Sequence, residues 1–129
     1  MRVITFGTFD VLHVGHLNLL ERARAMGGHL TVGVSSDALN FDKKGRLPIY
    51  LQRDRVRIIE ALACVDEVFI EESLELKERY ILDHRADILV MGNDWQGKFD
   101  QFEAMCQVLY LTRTPSVSTT ETIEVIKNR

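Results

Sequence analysis

Cysteine and proline are scarce in this 129-residue chain, which carries two of each. Cys64 and Cys106 stand far apart in apolar surroundings, and neither sits in a CxxC or CxxH pairing. That spacing argues against a zinc site, and free buried thiols are the expectation. No proline-rich or low-complexity stretch marks a linker, and no internal repeat is present. Long apolar runs are missing too. The longest have the length of a strand, so no segment is expected to enter a bilayer. The opening MRVITFGTFD has neither the basic start nor the apolar core of a signal peptide, and the expected location is cytoplasmic. A surplus of positive charge is also lacking. The net charge is -3, and no basic face or aromatic stacking pattern suggests a nucleic-acid partner. Any anion site must therefore be assembled from cations placed locally.

What is present suffices for a core: 46% of residues are hydrophobic and 27% are charged. The length is that of one ordinary domain, expected to span residues 1–129. Apolar runs at residues 2–6, 29–35, 65–70, 87–91 and 107–111 read as five strands. Between them lie helical patterns. Leu19, Ala23 and Met26 recur at helical spacing over residues 15–26, with Gly27 as a stop signal. Val56, Ile59 and Leu62 share one face over residues 51–63, residues 74–84 form another amphipathic stretch, and a last helix covers about 119–127. This alternation predicts an α/β fold: a Rossmann-like three-layer sandwich around a mainly parallel five-stranded sheet. Ligands of such sheets bind beyond the carboxyl ends of the strands. Three loops rich in glycine and polar groups lie there, at residues 7–15, 92–98 and 112–119.

In the first loop, Gly7-Thr8-Phe9-Asp10 leaves the first strand and His13-Val14-Gly15-His16 enters the first helix. Gly15 lets a phosphate approach the backbone, and the helix start supplies unpaired N–H groups. Residues three apart share a helical face, so His13 and His16 can both donate to one phosphate. Asp10 suits either orientation of a histidine or water, or a simple turn. In the last loop, Ser118 and Glu121 have the spacing of a capping box. Thr119 and Thr120 add hydroxyls at the same helix start, and Arg113 adds a planar fork suited to phosphate oxygens.

GTFDVLHVGH resembles the signature of the HxGH nucleotidyltransferase superfamily, in its cytidylyltransferase branch. RTPSVSTT is similar to the RTxxxSTT motif of that branch, and GNDWQGKFD, residues 92–100, to the GDDWEGKFD stretch of glycerol-3-phosphate cytidylyltransferases. Asn93 departs from the usual Asp. The resemblance covers essentially the whole chain. It implies His13, His16 and Arg113 as catalytic residues, and Thr8, Phe9, Asp10, Gly15, Arg46, Asp94, Thr114, Ser118, Thr119 and Thr120 around the nucleotide. Lys43 and Lys77 are implied for the acceptor, with Lys44 an alternative inside the basic run DKKGR at 42–46. That run reads by itself as a short loop after the second strand, and Lys77 by itself as an exposed helical lysine.

The implied reaction joins CTP and glycerol 3-phosphate to give CDP-glycerol and pyrophosphate. A phosphate monoester is largely dianionic at neutral pH and needs no general base, so positioning and charge stabilisation carry the catalysis. Mg²⁺ is expected with the triphosphate, with few protein ligands and no dedicated metal site. Family precedent implies a homodimer and a product destined for teichoic acid or capsule. One departure stands out: Ala63 occupies the position of an Arg before the family's YVDEV-type segment. Another phosphoalcohol acceptor, ATP in place of CTP, or a binding protein without activity are the alternatives.

Overall fold

The computed structural model describes residues 1–113 and 118–129. Five strands, β1 (Arg2–Gly7), β2 (His29–Ser35), β3 (Glu67–Glu71), β4 (Ile88–Gly92) and β5 (Gln107–Leu111), form one sheet in the order β3-β2-β1-β4-β5. Every pairing is parallel, and Thr5 faces Val32 on one side and Val90 on the other. The expected sheet is thus entirely rather than mainly parallel.

Alternation along the central strands divides the core between two faces. Val3, Leu30, Val32, Val34, Ile88 and Val90 point to one side, where Leu20 and Ala23 of helix α1 (Val14–Ala25) and Ile59 of α3 (Gln52–Glu60) cover them. Ile4, Phe6, Leu89 and Met91 point to the other, under Ile81 of α4 (Lys77–Asp83) and the 3-10 turn at Asp100–Ala104. Gly33 lies under that second core. A Cβ there would stand 2.7 Å from the rings of both Phe6 and Phe69, so glycine is what lets those rings meet.

The remaining helices are α2 (Asp37–Lys44) and α5 (Thr119–Lys127). Helix α2 corrects the reading of residues 42–46 as a loop. Ser36 Oγ caps its start by accepting from Leu39 N at 3.0 Å, and Gly45 ends it at φ +70, a conformation glycine adopts freely. Lys43 and Lys44 are therefore its last turn.

The topology fixes where a ligand belongs. From β1 the chain moves to β2 on one side of the sheet, and only later to β4 on the other. The strand order reverses between β1 and β4, so the loops after these two strands flank a crevice at their carboxyl ends.

Candidate active site

The loop after β1 is held in a shape that few sequences adopt unaided. Phe9 and Val11 both have positive φ, +53 and +45. Such backbone persists only where surrounding bonds determine it. The Asp10 carboxylate supplies three of them, accepting from Ile49 N at 2.7 Å, Tyr50 N at 2.8 Å and Val11 N at 3.0 Å. Asp10 is 9% exposed and its acceptor capacity is largely taken by backbone, so its role here is to fasten the loop. Phe9 is buried, its ring edge-on to His16 and against Gly7. Thr8 Oγ1 donates to Asn40 Oδ1 of α2 at 2.8 Å.

Beneath the loop lies a residue the sequence reading missed. Arg55 is 0% exposed and donates to the carbonyls of Thr8, Ser35 and Tyr50 and to Asp37 Oδ1, all within 2.9 Å. The run QRDRVR reads as a solvated charged face. The available signal was spacing, since Arg55 lies four residues before Ile59 and so shares its inward stripe.

His13 and His16 form the start of α1 themselves. His13 is the N-cap, its Nδ1 accepting from Gly15 N at 3.0 Å, and His16 Nδ1 accepts from the His13 N–H at 3.2 Å. Backbone N–H groups can only donate, so each ring carries its proton on Nε2. The rings stack with centroids 3.9 Å apart and planes 23° from parallel. Burial, then the neighbouring His13, lower the His16 pKa to about 4 despite the opposing Asp10. Burial and the Arg113 charge lower that of His13. Two neutral imidazoles thus offer Nε2–H donors side by side. His16 Nε2 lies 3.4 Å from Thr119 Oγ1, whereas His13 Nε2 is buried without a hydrogen-bond partner among the described residues. A buried donor without an acceptor costs about 1–3 kcal/mol.

Helix α5 begins over the same loop. Ser118 Oγ caps it by accepting from Glu121 N at 3.0 Å, and Thr119 Oγ1 donates to the Asp10 carbonyl at 3.0 Å. Two helix N-termini, those of α1 and α5, therefore converge on one loop, with Thr120 exposed beside them. Arg113 follows β5, and its guanidinium lies 3.9 Å from Asp94 Oδ2 of the 3-10 turn Asn93–Trp95. Both residues are largely exposed. Arg22 of α1 donates to Thr112 O at 2.9 Å and fixes the end of β5 next to Arg113. Thr114 lies outside the described residues.

The basic residues separate into two kinds. Lys44 at the end of α2 and Arg46 just beyond it are exposed. Lys77 corrects the expectation of an exposed helical lysine. It is 4% exposed, its Nζ 2.8 Å from Glu71 Oε2 and 4.0 Å above the Phe6 ring. Burial lowers its pKa while the Glu71 charge raises it. Lys43 is an exposed residue, yet partial desolvation of its ammonium lowers its pKa. Glu71 opposes that shift, and the Lys44, Lys77 and Arg55 charges add to it. The structure thus brings Thr8, Phe9, Asp10, His13, Gly15, His16, Ser118 and Thr119 together, and joins Asp94 to Arg113. Lys77 pairs with Glu71, which the sequence reading had not singled out, and the Glu71 charge also reaches Lys43.

Comparison with known proteins agrees with this geometry. The family model described as Cytidylyltransferase-like matches residues 4–125. The chain is 46% identical over 125 residues to a glycerol-3-phosphate cytidylyltransferase of Bacillus subtilis, covering 97% of this chain and 96% of that one. The enzyme of the same name from Staphylococcus aureus is 42% identical over 120 residues, covering 93% and 90%. Among solved structures, a lipopolysaccharide core biosynthesis protein from Thermoplasma volcanium superposes with a TM-score of 0.75 at 23% identity, over 88% of this chain and 98% of that one, a likeness of fold. A crossover site with paired Nε2–H donors, two helix N-termini and a full-length family match lead to one conclusion: this chain belongs to the cytidylyltransferase-like family of nucleotidyltransferases.

Proposed function

We propose that the protein joins CTP and sn-glycerol 3-phosphate to give CDP-glycerol and pyrophosphate. The substrates follow from the full-length likeness to enzymes named for this reaction, and the observation that carries the chemistry is the unpaired His13 Nε2–H beside that of His16.

A phosphate oxygen of glycerol 3-phosphate attacks the α-phosphorus of CTP. The new P–O bond forms as the bond to the β-phosphate oxygen breaks, and pyrophosphate leaves in line with the attack. No proton moves, because the acceptor is already largely dianionic at neutral pH. The histidines match that economy. Their Nδ1 atoms are taken by backbone N–H groups, so neither has a ready site to act as a base. Their Nε2–H groups donate to oxygens of the α-phosphate and the leaving group, where charge builds in the transition state. The N-termini of α1 and α5, with Ser118, Thr119 and Arg113, hold the triphosphate. Lys43 and Lys77 face the acceptor.

Mg²⁺ is proposed as the companion of the triphosphate. The described residues gather no cluster of three potential metal-ligating side chains, and Asp10 is engaged by backbone. Phosphate oxygens and water would therefore supply most ligands, and the ion would offset charge on the leaving group.

A second copy of the chain is the proposed protein partner. Phe41, Leu47, Ile49, Tyr50 and Leu51 are exposed within one short segment, beside a cavity of about 430 Å³ lined by Tyr50, Asp54, Arg57, Ile58 and Ala61. Asp54 and Arg57 give that face both signs of charge, which suits a two-fold interface. No helix among the described residues is long and apolar enough to cross a membrane. Dependence on CTP makes the cytoplasm the proposed location.

The deciding assay is pyrophosphate release by purified protein with Mg²⁺ and CTP, over a panel of phosphoalcohols with ATP as control. Release confined to CTP and glycerol 3-phosphate is expected. Release with another pair would replace the substrate, and none at all would leave a nucleotide-binding protein without activity.

A further inference from the structure

One of the two lysines assigned to the acceptor, Lys77, pairs with a carboxylate that lies in none of the sequence motifs, and the charge of that carboxylate also reaches the other, Lys43. Glu71 is the last residue of β3, in register with Ser35 at the end of β2, on the ligand-binding edge of the sheet. It is 1% exposed. Its Oε2 stands 2.8 Å from Lys77 Nζ, and its Oε1 accepts from Ser35 Oγ at 3.4 Å. Glu71 from β3 is the charged group in contact with Lys77, and Lys43 of α2 lies within reach of both charges. From β1 and from the loop after β4 Lys77 meets the rings of Phe6 and Phe99, 4.0 and 5.0 Å from its ammonium.

Two ammonium groups drawn into one partly desolvated corner repel each other. Without a counterion, one would lose its proton or swing out to water. Stability alone is a weak reason to keep such an arrangement, since apolar residues of similar volume commonly replace a buried ion pair without loss. Glu71 cannot itself receive the acceptor phosphate, because a carboxylate repels a dianion. It lies behind the lysines, and with both of them charged the cluster keeps a net positive charge.

We propose that Glu71 is the positioning residue of the acceptor half of the site: it gathers Lys43 and Lys77 and keeps both protonated, so that together they receive the phosphate of a phosphoalcohol. The inference rests on the cytidylyl-transfer reading above and deepens it. Glu71 touches no substrate and acts only through the lysines.

The test is Glu71→Gln, which keeps the shape and removes the charge. In the protein without substrate, the Lys77 side chain, followed by NMR, titrates about one unit lower or more than in the wild type, because burial then acts unopposed. In steady-state assays, KM for glycerol 3-phosphate rises roughly tenfold while KM for CTP changes less than about twofold, and the alkaline limb of kcat/KM for the acceptor moves to lower pH. An unchanged Lys77 titration with an unmoved alkaline limb, or equal rises in both KM values, overturns the proposal. Should Glu71→Gln fail to fold, Glu71→Asp decides. It retains the charge but withdraws it by one methylene, so the alkaline limb stays in place while KM for glycerol 3-phosphate alone rises. A normal KM in that variant, or a rise shared with CTP, counts against Glu71. Wild-type protein that forms no CDP-glycerol would instead overturn the reaction assigned above, and the substrate-free Lys77 titration would still decide the role of Glu71.

Discussion

The two halves of the proposed site are built from opposite materials. The nucleotide half is organised by neutral donors: imidazole N–H groups, hydroxyls and the N-termini of α1 and α5, with Arg113 at its rim. The proposed acceptor half is organised by full charges, Lys77 and Glu71 paired out of water, with the exposed Lys43 within reach of both. A pentavalent transition state develops its charge only briefly, and fixed dipoles meet it without reorganising. A phosphate monoester arrives already charged, and cations must offset its repulsion from the triphosphate. The nucleotide half should therefore govern turnover, and the acceptor half affinity and its alkaline limit.

The sharpest way to break this division is His16→Ala. Loss of a transition-state donor is expected to lower kcat roughly 100- to 1000-fold, with a stability loss of only about 1 kcal/mol from the weakened helix cap. Near-normal turnover in the folded variant would move the chemistry elsewhere. Next in size is Arg55→Met. It leaves the carbonyls of Thr8, Ser35 and Tyr50 and the Asp37 carboxylate short of a donor, and should cost about 3 kcal/mol in urea unfolding. A loss below about 1 kcal/mol would mean that the nucleotide loop holds its positive-φ shape without it. Lys77→Ala should raise KM for glycerol 3-phosphate roughly tenfold and leave KM for CTP nearly unchanged. Equal effects on both substrates would erase the distinction between the halves.

The smallest expected effect concerns pH. The His16 pKa in the folded protein is about 4, below its ordinary 6.5. The unfolded chain therefore binds the proton more readily. The stability that neutral His16 contributes is complete above pH 6.5 and is lost as pH falls through about 4. NMR of the imidazole should find an inflection near 4. An inflection near 6.5 would make His16 a cation during part of the working range, and the nucleotide half would no longer rest on neutral donors.

Much of this was legible in the chain. The strands at 29–35 and 107–111 and the helix at 119–127 occupy the predicted residues, because alternation and the Ser118 cap are local signals. The crevice was legible from element order alone. Helix α2 was not, although Ser36 and Gly45 mark its ends, because it is only eight residues long and buries only Leu39 and Asn40. The burial of Lys77 was hidden for another reason. Pattern reading sends a lysine to solvent unless its partner is known, and Glu71 lies on a different element. The hold of Asp10 on Ile49 and Tyr50 spans some 40 residues of sequence, and only the folded chain brings them together.

The reciprocal cap made by His13 and His16 has a consequence for descent. The same two side chains start a helix and present the proposed donors, at the three-residue spacing that Ser and Glu use in an ordinary capping box. Replacing the histidines with that pair would keep the helix start while removing both imidazoles. A lineage released from selection for catalysis could therefore shed its chemistry in two substitutions and go on folding. A relative with Ser and Glu at these positions would be a sound fold with a retired site, and the two histidines are where to look first when judging whether any member of the family still turns over.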